Sequence, residues 1–368
     1  MEYTPKARLI ANYLPQFHPI PENNEWWGEG FTEWTNVTKA KPLFSGHYQP
    51  HTPADLGFCD LRIPETRIAQ AEMARTCGIE AFCYWHYWFA GKMLIERPLQ
   101  EVVKSGEPNF PFCVAWANES WTGVWHGAKD RLLMEQTYPG KEDYVKHFEY
   151  LLPMFSDERY LTVDGKPLFM LFRPDSIPNA VEFVDLWKEL AVKAGLKGLH
   201  IIAYKQDNWP GHQWGFDGAT WAHQSIMKWV NRKTKLRYLA RQAVGLPPHV
   251  YRYKDAIPCM HGPKYPDYEV RDDHYPSIVT GWDNSPRSGK AAMILTGYTP
   301  ELFRVHVRNV LDRVKHKPME HRIVFVKSWN EWAEGNYLEP DLKYGKAFLE
   351  VLREEVCSDI PLANNHAY

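Results

Sequence analysis

The feature that most constrains this chain is a recurrence of short apolar, β-branched runs, each set off from the next by a helical or loop segment. Eight such runs can be read: Arg8–Leu14, Ile79–Tyr84, Pro111–Ala117, Pro167–Phe172, Leu199–Tyr204, Gly218–Ala222, Ser277–Gly281 and Ile323–Ser328. Most are near-continuous in apolar character rather than alternating, which is the pattern of strands covered on both faces. The segments between them carry helix punctuation. Glu65–Thr76 follows Pro64 and stops at Gly78, proline suiting the first helical turn and glycine the end. Glu142–Phe155, Ala180–Ala194 and Pro300–Val314 read similarly, with Thr299 placed to cap the last of these. Strand–helix alternation implies parallel strands, and eight of them predict an α/β fold closed into a (β/α)8 barrel. A chain of 368 residues is compatible with one such domain, residues 1–368. The stretch 223–276 is long for a connection and is expected to be an insertion over the barrel mouth.

Barrel enzymes build their sites where the strands end at the C-terminal face, so the residues at those ends matter most. The first run ends near Tyr13 and Gln16, the second at Tyr84 and His86, and the third at Trp116, Asn118 and Glu119. The fifth ends at Lys205 and Gln206, the seventh at Trp282 and Asp283, and the eighth in Trp329-Asn330-Glu331-Trp332-Ala333-Glu334. A ring beside a hydrogen-bonding group recurs along one rim, a lining suited to a polyhydroxylated, uncharged ligand. A loop rich in tryptophan, with Trp26, Trp27, Glu33 and Trp34, reads as a lid or a substrate wall, or as a loop pinned by its own rings.

Two carboxyl groups are the usual requirement for cleaving a glycosidic bond, one to protonate the leaving oxygen and one to help form the new bond. Glu331 and Glu334 are three residues apart, a spacing that puts both on one side of a turn. Burial between Trp329 and Trp332 would raise the proton affinity of at least one. The same pair could instead cap the start of a barrel helix. Glu119 reads either as an alternative acid or as a carboxylate orienting Asn118 or an arginine, and Glu339 as a supporting contact.

Bulk properties narrow the remaining classes. With 43 basic and 45 acidic side chains, the chain as a whole offers no field for nucleic acid or an anionic membrane. Six cysteines without a C-x-x-C pair suggest scattered thiols of a reducing compartment. No run approaches a membrane span, and the first residues lack a signal-peptide pattern, so a cytoplasmic location is expected. Gly28-Glu29-Gly30 lacks the rest of a dinucleotide fingerprint, and Pro50 between His47 and His51 breaks the helix that would align them on zinc. No metal or cofactor is expected; the expected partner is an oligosaccharide or polysaccharide substrate, and oligomeric state is left open.

The segments YLPQFHPIPENNEWWGEGFTEWTNV, PADLGFCDLR, FCYWHYWFAGK, WANESW, VDGKPLFML, GWDNSP and SWNEWAEGNYLEPD closely resemble the WbsX-like proteins of the glycoside hydrolase family 99-like group. The resemblance runs from about residue 8 to residue 354 and implies a (β/α)8 barrel. The related endo-α-mannosidases carry two glutamates in an Asn-Glu-Trp-x-Glu-Gly segment, matched here by Asn330–Gly335. The resemblance implies that Glu331 takes a proton from the sugar 2-hydroxyl, whose oxygen displaces the leaving group to form a 1,2-anhydro sugar. Glu334 would then act as general acid and, in the second step, as general base, with net retention. Such a route needs O2 trans to the leaving group, as in manno- or rhamno-configured sugars of bacterial polysaccharide. Ala333 stands where the endo-mannosidases have histidine, so mannosidase specificity does not carry over. WbsX-like proteins are also labelled glycosyltransferases of lipopolysaccharide O-antigen assembly, which makes transfer a second reading. An inactive carbohydrate-binding barrel is a third.

Overall fold

The structure, a computed structural model, describes residues 3–123, 131–205, 209–221, 232–260 and 272–361. Its centre is a ring of eight parallel strands: β1 (Arg8–Tyr13), β2 (Ile79–His86), β3 (Phe112–Trp116), β4 (Lys166–Leu171), β5 (His200–Tyr204), β6 (Gly218–Trp221), β7 (His274–Ile278) and β8 (Ile323–Val326). Each pairs with the next in chain order, and β8 closes on β1 with Ile323 opposite Arg8 and Val326 opposite Ala11. Closure removes the sheet edge that an open arrangement would leave unpaired. The fold is the expected (β/α)8 barrel.

Around the ring run α1 (Pro21–Trp27), α2 (Glu33–Lys39), α3 (Pro64–Thr76), α4 (Arg97–Ser105), α5 (Lys141–Phe155), α6 (Ala180–Lys193), α7 (Arg232–Ala243), α8 (Tyr253–Met260), α9 (Ser285–Ser288), α10 (Pro300–Val314) and α11 (Ala347–Val356). The punctuation works as its chemistry requires: Thr299 accepts the Leu302 amide at the start of α10, and proline follows it. One strand is displaced from its expected place. β7 is His274–Ile278 rather than Ser277–Gly281. The sequence HYPSI reads as a loop because of its histidine and proline, yet all five residues are buried. The ladder stops at Ile278, where the Val279 amide turns to the ring of His306 on α10 instead.

Strand residues alternate between the helix layer and the barrel interior. Tyr13 donates its hydroxyl to Gln70 on α3 at 2.7 Å, and the Tyr84 ring lies 4.6 Å from that of Tyr13. His86 meets His147 of α5 at 2.9 Å, and Trp116 packs its edge on His147 and its ring on Phe183 of α6. These four therefore face the helices, which turns their neighbours Trp85, Tyr87 and Ala117 toward the mouth.

Of the expected insertion at 223–276, residues 223–231 and 261–271 lie outside the described residues. The rest holds α7, a short strand His249–Arg252 paired in parallel with Met293–Thr296, and α8. Among the described residues, no helix is long and apolar enough to cross a membrane.

Candidate active site

The segment after β8 is folded back on itself by three local devices. Ser328 Oγ accepts the amides of Asn330 and Glu331 at 3.2 and 3.0 Å. The Asn330 amide clamps the backbone of Leu14, accepting from its N–H at 2.8 Å and donating to its carbonyl at 3.0 Å, which ties the end of β8 to the end of β1. Asn330–Glu331 then pairs antiparallel with Asn336–Tyr337 around a single 3-10 turn, Trp332–Glu334. In such a turn side chains three apart eclipse, so Glu331 and Glu334 reach the same cavity.

Two cations share these carboxylates. Lys327 Nζ lies 3.7 Å from Glu331 Oε1 and 3.8 Å from Glu334 Oε2. Arg287, on α9, places Nη1 2.9 Å from Glu334 Oε1 and Nε 2.9 Å from Oε1 of Glu33, which opens α2. Burial works against charge on every member of the cluster. For Glu331 it is outweighed by Lys327, by the hydrogen bond from Glu334 and by Arg287, and its carboxyl is held below the usual range. For Glu334 burial and the charge on Glu331 act together and prevail over both cations, pushing it up to about 8. Lys327 and Arg287 are held firmly protonated: burial opposes this, but the glutamates overcome it. The pair is thus split into an ionised Glu331 and a protonated Glu334 that hydrogen-bonds to it.

The cluster forms one wall of a cavity of about 330 Å³ at the barrel mouth. Rings of Trp27, Trp85, Tyr87, Trp121, Phe172, Tyr204 and Trp282 line it, with Gln16, Asn23, Glu119 and Asn284 among them. The Lys327 ammonium lies over the Trp282 ring, 5.4 Å from its centroid. Two buried groups there, the Asn23 amide and Trp282 Nε1, make no hydrogen bond to the chain among the described residues, so they are available to a ligand.

Of the residues expected at the site, Gln16, Glu33, Glu119, Trp282, Glu331 and Glu334 line this cavity. Glu119 pairs there with Arg173 at 3.1 Å. Of the others, those within the described residues are not among the lining residues and make contacts within the protein instead. Tyr13, Tyr84, His86 and Trp116 face the helix layer, as described above. Asn118 bridges the Arg173 backbone and the Tyr138 hydroxyl. Trp34 donates to the Cys59 carbonyl and packs on Trp332, whose ring stacks on Tyr337 at 3.8 Å. Asn330 is spent on Leu14. Asp283 is buried behind the mouth, accepting from Gln49 and meeting His47, each at 2.7 Å, while its backbone amide donates to the Glu334 carbonyl at 2.6 Å. Lys205 is paired with Asp175 and is not among the lining residues, and Gln206 lies outside the described residues.

Glu339 is buried under the turn, where it accepts from Gln70 of α3 at 2.6 Å and from the indoles of Trp329 and Trp332 at 3.1 and 2.5 Å. Sequence reasoning missed Arg287 and Lys327. Both directly adjoin resemblance segments, GWDNSP and SWNEWAEG. Lys327, four residues before Glu331, could have been found as a cation flanking the acid pair, whereas Arg287 is brought to Glu334 only by the fold.

These features define an α/β barrel with a buried carboxyl pair at its C-terminal mouth. The chain belongs to the family described as glycosyltransferase WbsX, whose model matches residues 9–352. It is 36% identical over 377 residues to the uncharacterized protein WxcX of Xanthomonas campestris pv. campestris strain B100, covering 98% of this chain and 53% of that protein. The chain therefore spans about half the length of the curated relatives it matches. Among solved structures it is similar to a GH99 endo-alpha-mannosidase from Bacteroides thetaiotaomicron (TM-score 0.55, 13% identity, 94% of this chain and 95% of that one). A glycoside hydrolase-like protein matches equally well (TM-score 0.55, 13% identity, 96% and 95%). At that identity the likeness is one of fold.

Two predictions concern the turn. Gly335 has φ +57, and a Cβ there would meet the Asp283 backbone nitrogen and Cβ at 2.9 Å. Gly335→Ala is expected to destabilise by at least about 1–3 kcal/mol from backbone strain, with the clash adding to it; unchanged denaturant unfolding would refute this. Burial raises Glu339 to about 7, against the pull of its three donors. The folded protein therefore binds a proton that the unfolded chain releases near the ordinary carboxylate value. The associated stability is complete below that value and is lost as pH rises to about 7. Wild type is expected to lose on the order of 1–3 kcal/mol more than Glu339→Gln across this window, measured as paired denaturation curves.

Proposed function

We propose that the protein acts on glycosidic bonds as a retaining glycoside hydrolase, with Glu331 as base and Glu334 as acid. The observation that carries this reading is the split of the pair in one ring-lined cavity: one carboxyl held ionised, its neighbour held protonated. That is the division a base and an acid need at neutral pH. The fold likeness to a GH99 endo-alpha-mannosidase and the resemblance of Asn330–Gly335 to the Asn-Glu-Trp-x-Glu-Gly segment of the endo-α-mannosidases support the assignment of roles.

In the first step the ionised Glu331 accepts the proton of the sugar 2-hydroxyl, O2 closes onto C1, and the C1–O bond to the leaving group breaks. Glu334 gives its proton to that departing oxygen. In the second step Glu334 takes a proton from water, the water oxygen bonds to C1 as the C1–O2 bond opens, and O2 regains its proton from Glu331. Two inversions give retention. Manno- or rhamno-configured sugars of bacterial polysaccharide have the required trans arrangement. With Glu334 protonated, the carboxylates of Glu33 and Glu331 balance Arg287 and Lys327, so the cluster presents no spare charge and favours an uncharged sugar. The rings supply stacking faces, and the Asn23 and Trp282 groups supply hydrogen bonds.

The family description favours a second reading, transfer to a sugar hydroxyl from an activated donor. Calorimetry across a panel of nucleotide sugars separates the two: saturable binding supports transfer, and none counts against it.

A glycan activity screen, with product anomers followed by NMR, is expected to show retention. Glu334→Gln should cut turnover by about 10²–10⁴-fold while leaving binding intact; near-normal turnover would end this reading. The pH profile should fall on the alkaline side near 8, as Glu334 loses its proton. It should fall on the acid side below the usual carboxylate range, as Glu331 gains one. Lys327→Met removes the strongest force lowering Glu331, so the acid limb should move to higher pH; an unmoved limb would detach Lys327 from the chemistry.

A further inference from the structure

The near-zero net charge of the chain hides a local concentration. Between Gly218 and Lys254 the sequence carries eight Lys and Arg residues (Lys228, Arg232, Lys233, Lys235, Arg237, Arg241, Arg252 and Lys254) and no Asp or Glu. Helix α7, Arg232–Ala243, lies in the middle of this stretch. Its orientation is set from one side. The Tyr238 ring packs 5.0 Å from that of His249, and the Arg241 guanidinium lies over Phe44 at 4.8 Å while Nε donates to the Pro247 carbonyl at 2.6 Å. The opposite side presents Leu236, Leu239, Ala240 and Ala243, spaced i, i+3, i+4, i+7 as one helical stripe. Leu236 is 72% exposed and Leu239 49%, with Val244 just beyond the helix at 70%. Exposed Lys235 and Arg237 flank the stripe.

We propose that the outward face of α7 docks on an anionic lipid bilayer surface, lying in the interface plane with its leucines among the acyl chains. The argument is one of complementarity. An apolar stripe rimmed by cations matches a surface that is apolar beneath and negative at the headgroups. A polyanion such as nucleic acid or acidic polysaccharide would use the cations and leave the leucines in water. A second copy of the chain would cover the leucines but bring two cationic rims together. Of these three occupants, the bilayer alone uses both features. This inference does not depend on the chemistry assigned to the cavity.

The test is co-sedimentation of the full chain with vesicles of phosphatidylcholine containing phosphatidylglycerol, against phosphatidylcholine alone. Preferential pelleting with the anionic vesicles is expected, weakening as salt is raised. Partition should fall at least tenfold in Leu236→Asp/Leu239→Asp and in Lys235→Glu/Arg237→Glu, with the far-UV circular dichroism and Tm of wild type. The salt titration on unaltered protein keeps the test open should either variant fold poorly. The proposal is overturned by equal partition into neutral vesicles. It is also overturned by binding of double-stranded DNA or alginate that the leucine changes leave intact, in the absence of vesicle binding. A concentration-dependent dimer abolished by the leucine changes, again without vesicle binding, would overturn it too.

Discussion

One ammonium between two carboxylates organises the mouth of this barrel. Lys327 Nζ sits within 4 Å of both Glu331 and Glu334, on the residue immediately after β8. Without a cation, two buried carboxyls this close could not both ionise, and neither would have a defined role. With Lys327 on one side and Arg287 linking Glu334 to Glu33, the cluster admits two negative charges beside two positive ones. The proton that remains goes to Glu334, whose position next to Glu331 costs most when charged. The asymmetry is built from burial and geometry, before any substrate arrives.

Holding four charged side chains in place needs a rigid frame, since buried charges are tolerated only when their partners are fixed. The frame comes from residues that never touch the cavity. Asn330 locks the β8 end to Leu14, Asp283 anchors the Glu334 carbonyl through its own amide, and Glu339 gathers Trp329, Trp332 and Gln70 below the turn. The motif SWNEWAEG is therefore largely structural. Two of its residues face the cavity, and most of the rest fix the direction in which those two point.

That division explains what could be read from the sequence. Strand order and the barrel were legible because eight apolar runs and helix punctuation such as Thr299-Pro300 leave few other ways to bury so many two-faced strands. The facing of each strand was not. Tyr84 and His86 were as plausible at the site as Trp85 and Tyr87, because a strand covered on both faces carries no polar–apolar alternation to show which side is inward. The same ambiguity put Trp116 at the site, although it packs in the helix layer. The acid pair escaped this problem because a turn, rather than a strand, presents it. Arg287 could not be placed from spacing alone: its role depends on a contact between the segments after β7 and β8, more than 40 residues apart, whereas Lys327 lies only four residues before Glu331.

The family description speaks of transfer and the reading proposed above of hydrolysis, yet the two differ less than the words suggest. In either case an acid must protonate the oxygen leaving C1, or the leaving group must depart without help, as an activated phosphate ester does. A carboxyl kept protonated beside the scissile bond is of little use to a donor whose leaving group is already a stable anion. It is valuable against an unactivated sugar alkoxide. The rise in Glu334 therefore weighs toward a glycosidic substrate, whatever the acceptor, and water or a sugar hydroxyl could both complete the second step at C1. If the acceptor is a sugar, the distinction lies in the rings of the mouth, which would have to hold it against competition from water.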